Sequence, residues 1–176
     1  YFSILPTNHA IDFMCGFVGP LCCGATVVHQ RSLRPEFIFD AMKRYQISHM
    51  AVVPLILTAF ERAIREKIDA LEPWRAGLLE RLMDLNQTLT DAKPNPTISR
   101  FLLKPIHDAF GGKLKLLFCG GAFVDQGRAE FFYRLGIPVV IGYGLTEACT
   151  VVTVNDLKPF RGDSVGRAIK GTEIRI

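Results

Sequence analysis

The clearest indication of the fold class is Val139-Val-Ile-Gly-Tyr-Gly-Leu-Thr-Glu147, an apolar run that ends in two closely spaced glycines. Consecutive branched aliphatic residues are typical of a strand that is buried on both faces, as in a parallel sheet. A second stretch, Leu114-Lys-Leu-Leu-Phe-Cys-Gly-Gly-Ala122, has the same order of apolar strand and glycine-rich turn. Asp125 is placed to cap a helix after it, and Gly136-Ile-Pro138 then turns the chain into the first stretch. Strand, helix and strand in this order predict two parallel strands.

The residues upstream extend this alternation. Thr26-Val-Val-His29 and His49-Met-Ala-Val-Val53 are predicted as strands, and a helix opens at Pro35 between them. Beyond Pro54 apolar residues recur at helical spacing as far as Phe110, interrupted by a proline-containing loop over 91–97. We therefore predict an α/β fold, with an open, mostly parallel sheet flanked by helices and a long helical insertion at about 55–110.

Three further elements are predicted from local patterns. Ala10–Cys23 is expected to form a buried helix that Gly24 closes, and Ser99 to cap a helix that carries Phe101 and is bent or delayed by Pro105. Alternation in Thr172-Glu-Ile-Arg-Ile176 predicts the beginning of a strand. Since the chain opens in an apolar run and stops in a strand-like one, we expect an internal piece of a longer domain.

Composition and charge weigh against several classes of protein. There are 21 Lys and Arg against 17 Asp and Glu, a net charge of +4, and no run of like charge, which argues against nucleic acid as a partner. Five cysteines without a Cys-x-x-Cys pair disfavour a disulfide framework or a zinc site and favour a reducing compartment. Most of them are predicted to be small core residues. The uncharged stretch between Asp12 and Arg31 contains glycines and turns β-like, so a buried helix and strand are favoured over a membrane span.

The two glycine-rich turns are the predicted site of chemistry. In open parallel sheets ligands bind beyond the carboxyl ends of the strands, and glycine lets the backbone approach a ligand closely. Around the second turn, Tyr143 can stack on a base, Thr146 can bond a phosphate oxygen and Glu147 can hold a magnesium ion. The same residues fit two tight strand-to-helix turns with a capping threonine equally well.

Rival nucleotide motifs match less well. Gly142-x-Gly144-x-x-Glu147 begins like a dinucleotide fingerprint, but Glu147 replaces the third glycine and would repel a pyrophosphate. This disfavours an oxidoreductase of the Rossmann type. A phosphate loop is excluded because Gly112-Lys113 is followed by leucine, and the sequence has no Gly-x-Ser-x-Gly nucleophile turn.

Taken together, the motifs resemble those of one family. Gly142-Tyr-Gly-Leu-Thr-Glu147 resembles the signature of the adenylate-forming enzymes, within them the acyl-coenzyme A synthetases of the long-chain fatty acid–CoA ligase type. Leu5-Pro-Thr-Asn-His9, Val52-Val-Pro54, Gly120-Gly-Ala122 and the stretch 164–176 resemble further segments of that family, in its order. The resemblance covers essentially the whole chain. It implies that residues 1–176 are a single fragment of the large N-terminal, AMP-binding (adenylation) domain.

The resemblance also implies a reaction and a set of residues. ATP and a carboxylate give an acyl-adenylate and pyrophosphate, and coenzyme A then displaces AMP to form a thioester. Tyr143 would stack on adenine, while Thr146 would bond the α-phosphate and Glu147 would hold Mg²⁺. His9 would lie near the carboxylate, or it only caps the following helix. The remaining residues assigned to ATP or AMP are glycines and an alanine of the two turns: Gly120, Gly121, Ala122, Gly142 and Gly144.

The sequence indicates the substrate and the partners less clearly than the reaction. The long helical stretch resembles the long-chain fatty acyl members, and the apolar helix 13–23 with the Gly120-Gly121 turn could wall an acyl channel or only form core. The family's phosphate loop, ribose-binding aspartate and adenylation lysine have no counterpart here, so we expect the fragment alone to be inactive. A non-catalytic α/β nucleotide-binding module and acyl transfer to a carrier protein stay open. We expect a cytoplasmic location, with peripheral membrane contact through the substrate as an alternative, and make no prediction of oligomeric state.

Overall fold

The described residues form one mixed sheet with helices packed against it. The computed structural model describes residues 1–175, and their seven strands lie in the order β2-β1-β3-β4-β5-β6-β7. The first five strands in this order run parallel, whereas β6 pairs antiparallel with β5 and β7 antiparallel with β6. The strands are β1 Phe2–Ser3, β2 Val28–His29, β3 His49–Val52, β4 Leu116–Cys119, β5 Val139–Tyr143, β6 Thr153–Val154 and β7 Arg167–Ala168. The predicted α/β class with an open, mostly parallel sheet is confirmed.

Helices connect the strands and supply both covering layers. They are α1 Ala10–Asp12, a π-helix Phe13–Val18, α2 Gly19–Cys22, α3 Pro35–Tyr45, α4 Pro54–Asp69, α5 Pro73–Thr90, α6 Pro96–Leu102, α7 Lys104–Ala109, α8 Gln126–Arg134 and a 3₁₀ helix Thr146–Ala148. Among residues 1–175, every helix is too short or too polar to cross a bilayer.

The central strands β3, β4 and β5 have two differently covered faces. Ala51, Phe118 and Val140 are paired neighbours in the register and face the cleft that α1 and the π-helix border. The residues alternating with them belong to the main hydrophobic core beneath α3–α8. That core is rich in phenylalanine: Phe60 and Phe110 pack edge to face with centroids 5.8 Å apart, and burying each side chain contributes about 1.5–3 kcal/mol.

Four helices, α4–α7, lie between β3 and β4, where the sequence predicted a helical stretch. Prolines stand in the first turn of each of them, where a missing N–H costs nothing. The predicted cap was wrong: Asn95 caps α6, accepting from the N–H groups of Thr97 and Ile98, and Ser99 is buried inside the helix. Pro105 opens α7 after a break at Leu103, and Phe101 is largely exposed.

Other local predictions also need correction. Residues 10–22 are helical, but the helix is not buried, because one side packs on the sheet while Phe13, Phe17 and Leu21 remain 40–54% exposed. An apolar pattern all around a helix predicted burial, and the pattern alone does not show which side is covered. Residues 172–175 form no strand, and Ile176 lies outside the described residues. The cysteines are mostly not in the core: Cys119 is buried, whereas Cys22, Cys23 and Cys149 are exposed.

Candidate functional site

Two clefts open at the carboxyl ends of β4 and β5, where the two glycine-rich turns meet. The strands are parallel neighbours, with Cys119 opposite Ile141, so the turns that follow them lie side by side. Gly121, Gly142 and Gly144 line both clefts and separate them. The structure thus brings together the two turns that the sequence singled out.

The first cavity, which we call the helix-side cleft, lies between these turns and the start of α1. It has a volume of about 440 Å³. Ile11, Cys15 and Phe118 form part of its apolar wall. Most of the predicted site residues line this cleft: His9, Gly120, Gly121, Gly142, Gly144, Thr146 and Glu147.

The second cavity, the tyrosine-side cleft, lies on the other side of the turns and measures about 580 Å³. Ala122 and Tyr143 line it together with the segment 162–165, and the Tyr143 side chain is half-exposed at the end of β5. Asp163 also borders the cleft, but both of its oxygens accept hydrogen bonds of 2.8 Å from Arg161. The hydrogen bonds from Arg161 lower the pKa of the Asp163 carboxyl. Asp163 is thus a turn residue whose carboxylate is paired with Arg161.

Close backbone contacts explain two of the glycines. A Cβ on Gly144 would lie 1.2 Å from the carbonyl oxygen of Thr150, so no other residue fits there without moving the chain. Gly121 has φ +86°, in the left-handed region that favours glycine. Gly142 differs, since a Cβ there would come no closer than 3.9 Å to the carbonyl oxygen of Thr153. Two of the turn glycines are therefore required by the fold itself.

Thr150 fastens the loop after β5 to the start of α1. The loop contains the 3₁₀ helix Thr146–Ala148 and ends in two residues with positive φ, Cys149 at 53° and Thr150 at 87°. The Thr150 hydroxyl donates to the carbonyl oxygen of Ala10 over 3.0 Å, and its N–H donates to Leu145 O over 2.9 Å. The hydrogen bond from Thr150 to Ala10 therefore keeps Thr146 and Glu147 at the cavity that His9 also lines. Sequence reasoning missed Thr150, because a β-branched residue is rare at positive φ.

Asn155 fixes the outer edge of β5 and was also missed. Its side-chain oxygen accepts from the N–H of Ile141 over 2.9 Å, and its amide nitrogen donates to the carbonyl oxygens of Arg161 and Val139. The side chain is buried, so these bonds satisfy groups that water does not reach. An asparagine directly after the strand-like run 151–154 was the available signal.

His9 combines both predicted functions in one position. It is the N-cap of α1, where its Nδ1 accepts from the N–H of Ile11 over 3.4 Å, and it lines the helix-side cleft. A nitrogen that accepts a backbone N–H carries no proton, so the neutral ring holds its proton on Nε2. Capping therefore favours a tautomer that can donate a hydrogen bond to a carboxylate.

The cysteines of the helix-side cleft are unsuited to nucleophilic chemistry. Burial raises the pKa of the Cys15 thiol, with a further contribution from the nearby carboxylate of Asp12. Burial also raises the pKa of Cys119 to about 12. Because the thiolate is the nucleophile, both groups act as apolar wall at neutral pH.

Glu147 provides a single carboxylate in the helix-side cleft. The side chain is exposed and forms no ion pair with a described residue, and residues 1–175 hold no cluster of three or more metal-binding side chains. Mg²⁺ is commonly held by one or two carboxylates together with substrate phosphates and water. Glu147 could therefore take part in holding a Mg²⁺ ion only together with ligands that a bound substrate or water supplies.

Comparison with known proteins assigns the chain to a family. The family described as AMP-binding enzyme matches residues 1–176, and the chain belongs to it. Among curated relatives, a probable acyl-activating enzyme 16 from Arabidopsis thaliana is 28% identical over 100% of this chain and 29% of its own length. Long-chain-fatty-acid–CoA ligase 1 from Saccharomyces cerevisiae is 37% identical over 39% of this chain and 10% of its own.

A solved structure shares the fold. O-succinylbenzoate coenzyme A synthetase from Bacillus subtilis, in complex with ATP and a magnesium ion, superposes with a TM-score of 0.63 at 17% identity. The match covers 99% of this chain and 28% of that protein. The chain thus spans less than a third of the length of these relatives, and it shares the fold of the part of the solved structure that it matches.

Proposed function

We propose that the whole protein is an ATP-dependent acid–thiol ligase that converts a fatty acid into its acyl-adenylate and then into a thioester of coenzyme A. The observation that carries this proposal is the pair of clefts that meet at the turns 120–122 and 142–147. One cleft offers an aromatic ring and the other an apolar wall with a carboxylate and a histidine. A nucleotide and an apolar acid can therefore approach each other across the shared glycines.

The nucleotide would occupy the turns from the tyrosine side. The half-exposed Tyr143 ring stacks on adenine, Ala122 borders the base on the same side, and Gly120 and Gly121 border the acyl group in the helix-side cleft. The Thr146 hydroxyl donates to an oxygen of the α-phosphate, and the small residues at Gly142 and Gly144 keep the approach clear. Fixed donors at the phosphorus under attack stabilise the charge that develops there.

Glu147 and His9 complete the proposed catalytic set with Thr146. Glu147 holds Mg²⁺, which, when bound, neutralises phosphate charge and orients the leaving pyrophosphate. The His9 Nε2–H donates to the carboxylate of the acid and orients one of its oxygens toward the α-phosphorus. Coenzyme A is the proposed second substrate, its thiol displacing AMP.

Long-chain fatty acid is the proposed substrate class. Support comes from the apolar wall of the helix-side cleft and from similarity to the yeast protein named as a long-chain-fatty-acid–CoA ligase. We also propose that residues 1–176 are one part of the adenylation domain and that the four helices α4–α7 are an insertion typical of long-chain members. A cytoplasmic location, with membrane contact through the substrate, is part of the same proposal.

The test is ATP–pyrophosphate exchange by the whole protein with fatty acids of graded length and with aromatic acids. We expect exchange that rises with chain length and that requires Mg²⁺. Exchange with an aromatic acid alone would retain adenylation and contradict the fatty acid assignment. A folded protein that binds AMP but exchanges with no acid would instead be a non-catalytic nucleotide-binding module. Supplying coenzyme A or an acyl carrier protein to the preformed adenylate identifies the thiol acceptor.

A further inference from the structure

An apolar groove lies in the helical layer, away from the two clefts. It has a volume of about 430 Å³, and α3, α4, α5, α6 and α7 all contribute to its walls. None of its lining residues lines the helix-side or the tyrosine-side cleft. Its size falls in the range of pockets that bind a single small molecule.

The walls of this groove offer almost no hydrogen-bonding groups. Leucine, isoleucine, alanine and phenylalanine side chains form most of the lining, and Leu78 and Trp74 are more than half exposed at its surface. Exposed side chains of this size gain free energy when an apolar ligand removes them from water. An extended peptide would bring polar backbone groups that these walls leave without partners.

Two cations provide the polar contribution to the lining. Lys67 and Arg75 are exposed, and neither forms an ion pair within residues 1–175. The Lys67 ammonium lies 5.8 Å from the ring centre of Phe39, and the Arg75 guanidinium lies 5.1 Å from that of Trp74. Both rings belong to the groove, so the positive charges stand directly beside the apolar surface.

We propose that this groove binds a free long-chain fatty acid at a second site, with the chain on the apolar walls and the carboxylate at Lys67 and Arg75. The combination of a hydrocarbon-lined cavity and two unpaired cations complements a single-chain amphiphile with an anionic end. A cavity of this volume suits one chain better than the two chains of a phospholipid. The site is separate from the proposed adenylation site and does not depend on it.

Trp74 is the one tryptophan within residues 1–176 and lies in this groove, and comparison with Trp74→Phe isolates its signal from that of the whole protein. A long-chain fatty acid brominated along its chain is titrated into the protein without nucleotide, below the concentration at which it forms micelles. Because bromine quenches an indole that it contacts, we expect saturable quenching of Trp74 fluorescence. A brominated alcohol of equal length tests the carboxylate, and we expect at least several-fold weaker quenching.

Variants separate the groove from non-specific adsorption. The double variant Lys67→Gln/Arg75→Gln should bind about tenfold more weakly, since it removes both charges that pair with the carboxylate. The matched control Arg81→Gln/Lys93→Gln removes two exposed cations outside the groove and should bind normally. Ala63→Leu keeps the cations but fills the groove, and should abolish quenching while thermal unfolding shows a folded protein.

Equal quenching by the acid and the alcohol, or equal binding by the two double variants, would overturn the proposal. So would quenching that requires vesicles of brominated anionic phospholipid and is absent with the monomeric acid, which would assign the groove to a membrane surface. Pyrophosphate exchange distinguishes this site from the adenylation site. Quenching that persists in a protein without exchange activity supports the groove and contradicts only the proposed function.

Discussion

At the scale of single residues, the proposed chemistry depends most on Glu147. Its carboxylate is exposed in the helix-side cleft and supports no ion pair among the described residues, so the fold does not need its charge. We expect Glu147→Gln to lower pyrophosphate exchange by the whole protein about 100-fold, as for other groups that stabilise transition-state charge. Exchange as a function of Mg²⁺ concentration and the thermal unfolding midpoint are the two measurements.

The control for this variant is Glu36→Gln, which removes an equally exposed carboxylate from the first turn of α3. Both variants should unfold within a few degrees of the parent, because exposed substitutions change stability by about 0.5 kcal/mol or less. If Glu147→Gln exchanged at the rate of Glu36→Gln with the same Mg²⁺ requirement, the metal assignment would be wrong.

Tyr143 gives a second prediction at this scale. Its ring is half-exposed in the tyrosine-side cleft, where it makes no contact that the core requires. Tyr143→Ala should weaken ATP binding about tenfold or more, since stacking of a base on an aromatic ring contributes about 1–3 kcal/mol. Tyr143→Phe keeps the ring and should bind ATP nearly as the parent does. Isothermal titration calorimetry with ATP measures the affinity of each variant. Equal affinities of the alanine and phenylalanine variants would exclude stacking.

At the scale of elements, the end of β5 and the turn after it contain two glycines, Gly142 and Gly144, with different structural requirements. Gly144→Ala places a Cβ 1.2 Å from the carbonyl oxygen of Thr150 and must displace the loop, whereas Gly142→Ala meets nothing closer than 3.9 Å. We expect Gly144→Ala to lower the free energy of unfolding by about 1–3 kcal/mol or more, and Gly142→Ala by clearly less. Urea unfolding of both variants is the comparison. A loop that tolerated Gly144→Ala as well as Gly142→Ala would contradict the close packing on Thr150.

The strands and helix caps also show which parts of the fold can be predicted from the sequence. The apolar strands and their glycine turns were predictable, because β3, β4 and β5 are covered on both faces and so carry continuous apolar runs. The two-residue strands β1 and β6 were missed, whereas β2, which is equally short, was predicted from the β-branched residues of Thr26-Val-Val-His29. One predicted helix cap was right and one was wrong. Asp125 does cap α8, accepting from the N–H of Arg128, whereas α6 is capped by Asn95 and not by the predicted Ser99.

The candidate site likewise contains residues that could be predicted from the sequence and residues that could not. His9 and the residues of the two turns were predictable because they belong to contiguous motifs that end at the same edge of the sheet. Thr150 was not, because it acts through a contact between segments distant in the chain, and Asn155 was not, because its partners lie on the neighbouring strand and in the following loop. The hydrogen bond from Thr150 to Ala10 spans 140 positions, and local pattern carries no information about such a pair.

At the scale of the whole molecule, His107 links the helical layer to the segment that leads into β5. The ring is buried, and its Nε2 donates to the carbonyl oxygen of Leu135 over 3.0 Å while its Nδ1 has no partner within residues 1–175. Protonation would place a second N–H in this apolar setting. Burial accordingly lowers the pKa of His107 from its ordinary 6.5; Arg100 lowers it further, while the bond to Leu135 and the nearby Asp108 oppose the shift.

The sign of the resulting pH dependence follows from this lowered pKa. Below about pH 6.5 the unfolded chain takes up a proton that the folded His107 does not, so the free energy of unfolding should fall with falling pH. The stability is fully present above pH 6.5, and one histidine contributes a slope of at most about 1.4 kcal/mol per pH unit. Burial lowers the pKa of His49 as well, with help from Lys115, so His49 adds to the slope with the same sign.

Urea unfolding between about pH 5 and 7.5 measures this dependence. His107→Gln can still donate to Leu135 and should flatten the fall in stability, and His107→Gln/His49→Gln should flatten it further. The free energy of unfolding of the parent could instead rise as the pH falls from 7 to 5, or that of His107→Gln could fall as steeply with pH as that of the parent. Either result would show that His107 is not a neutral buried link between the two layers.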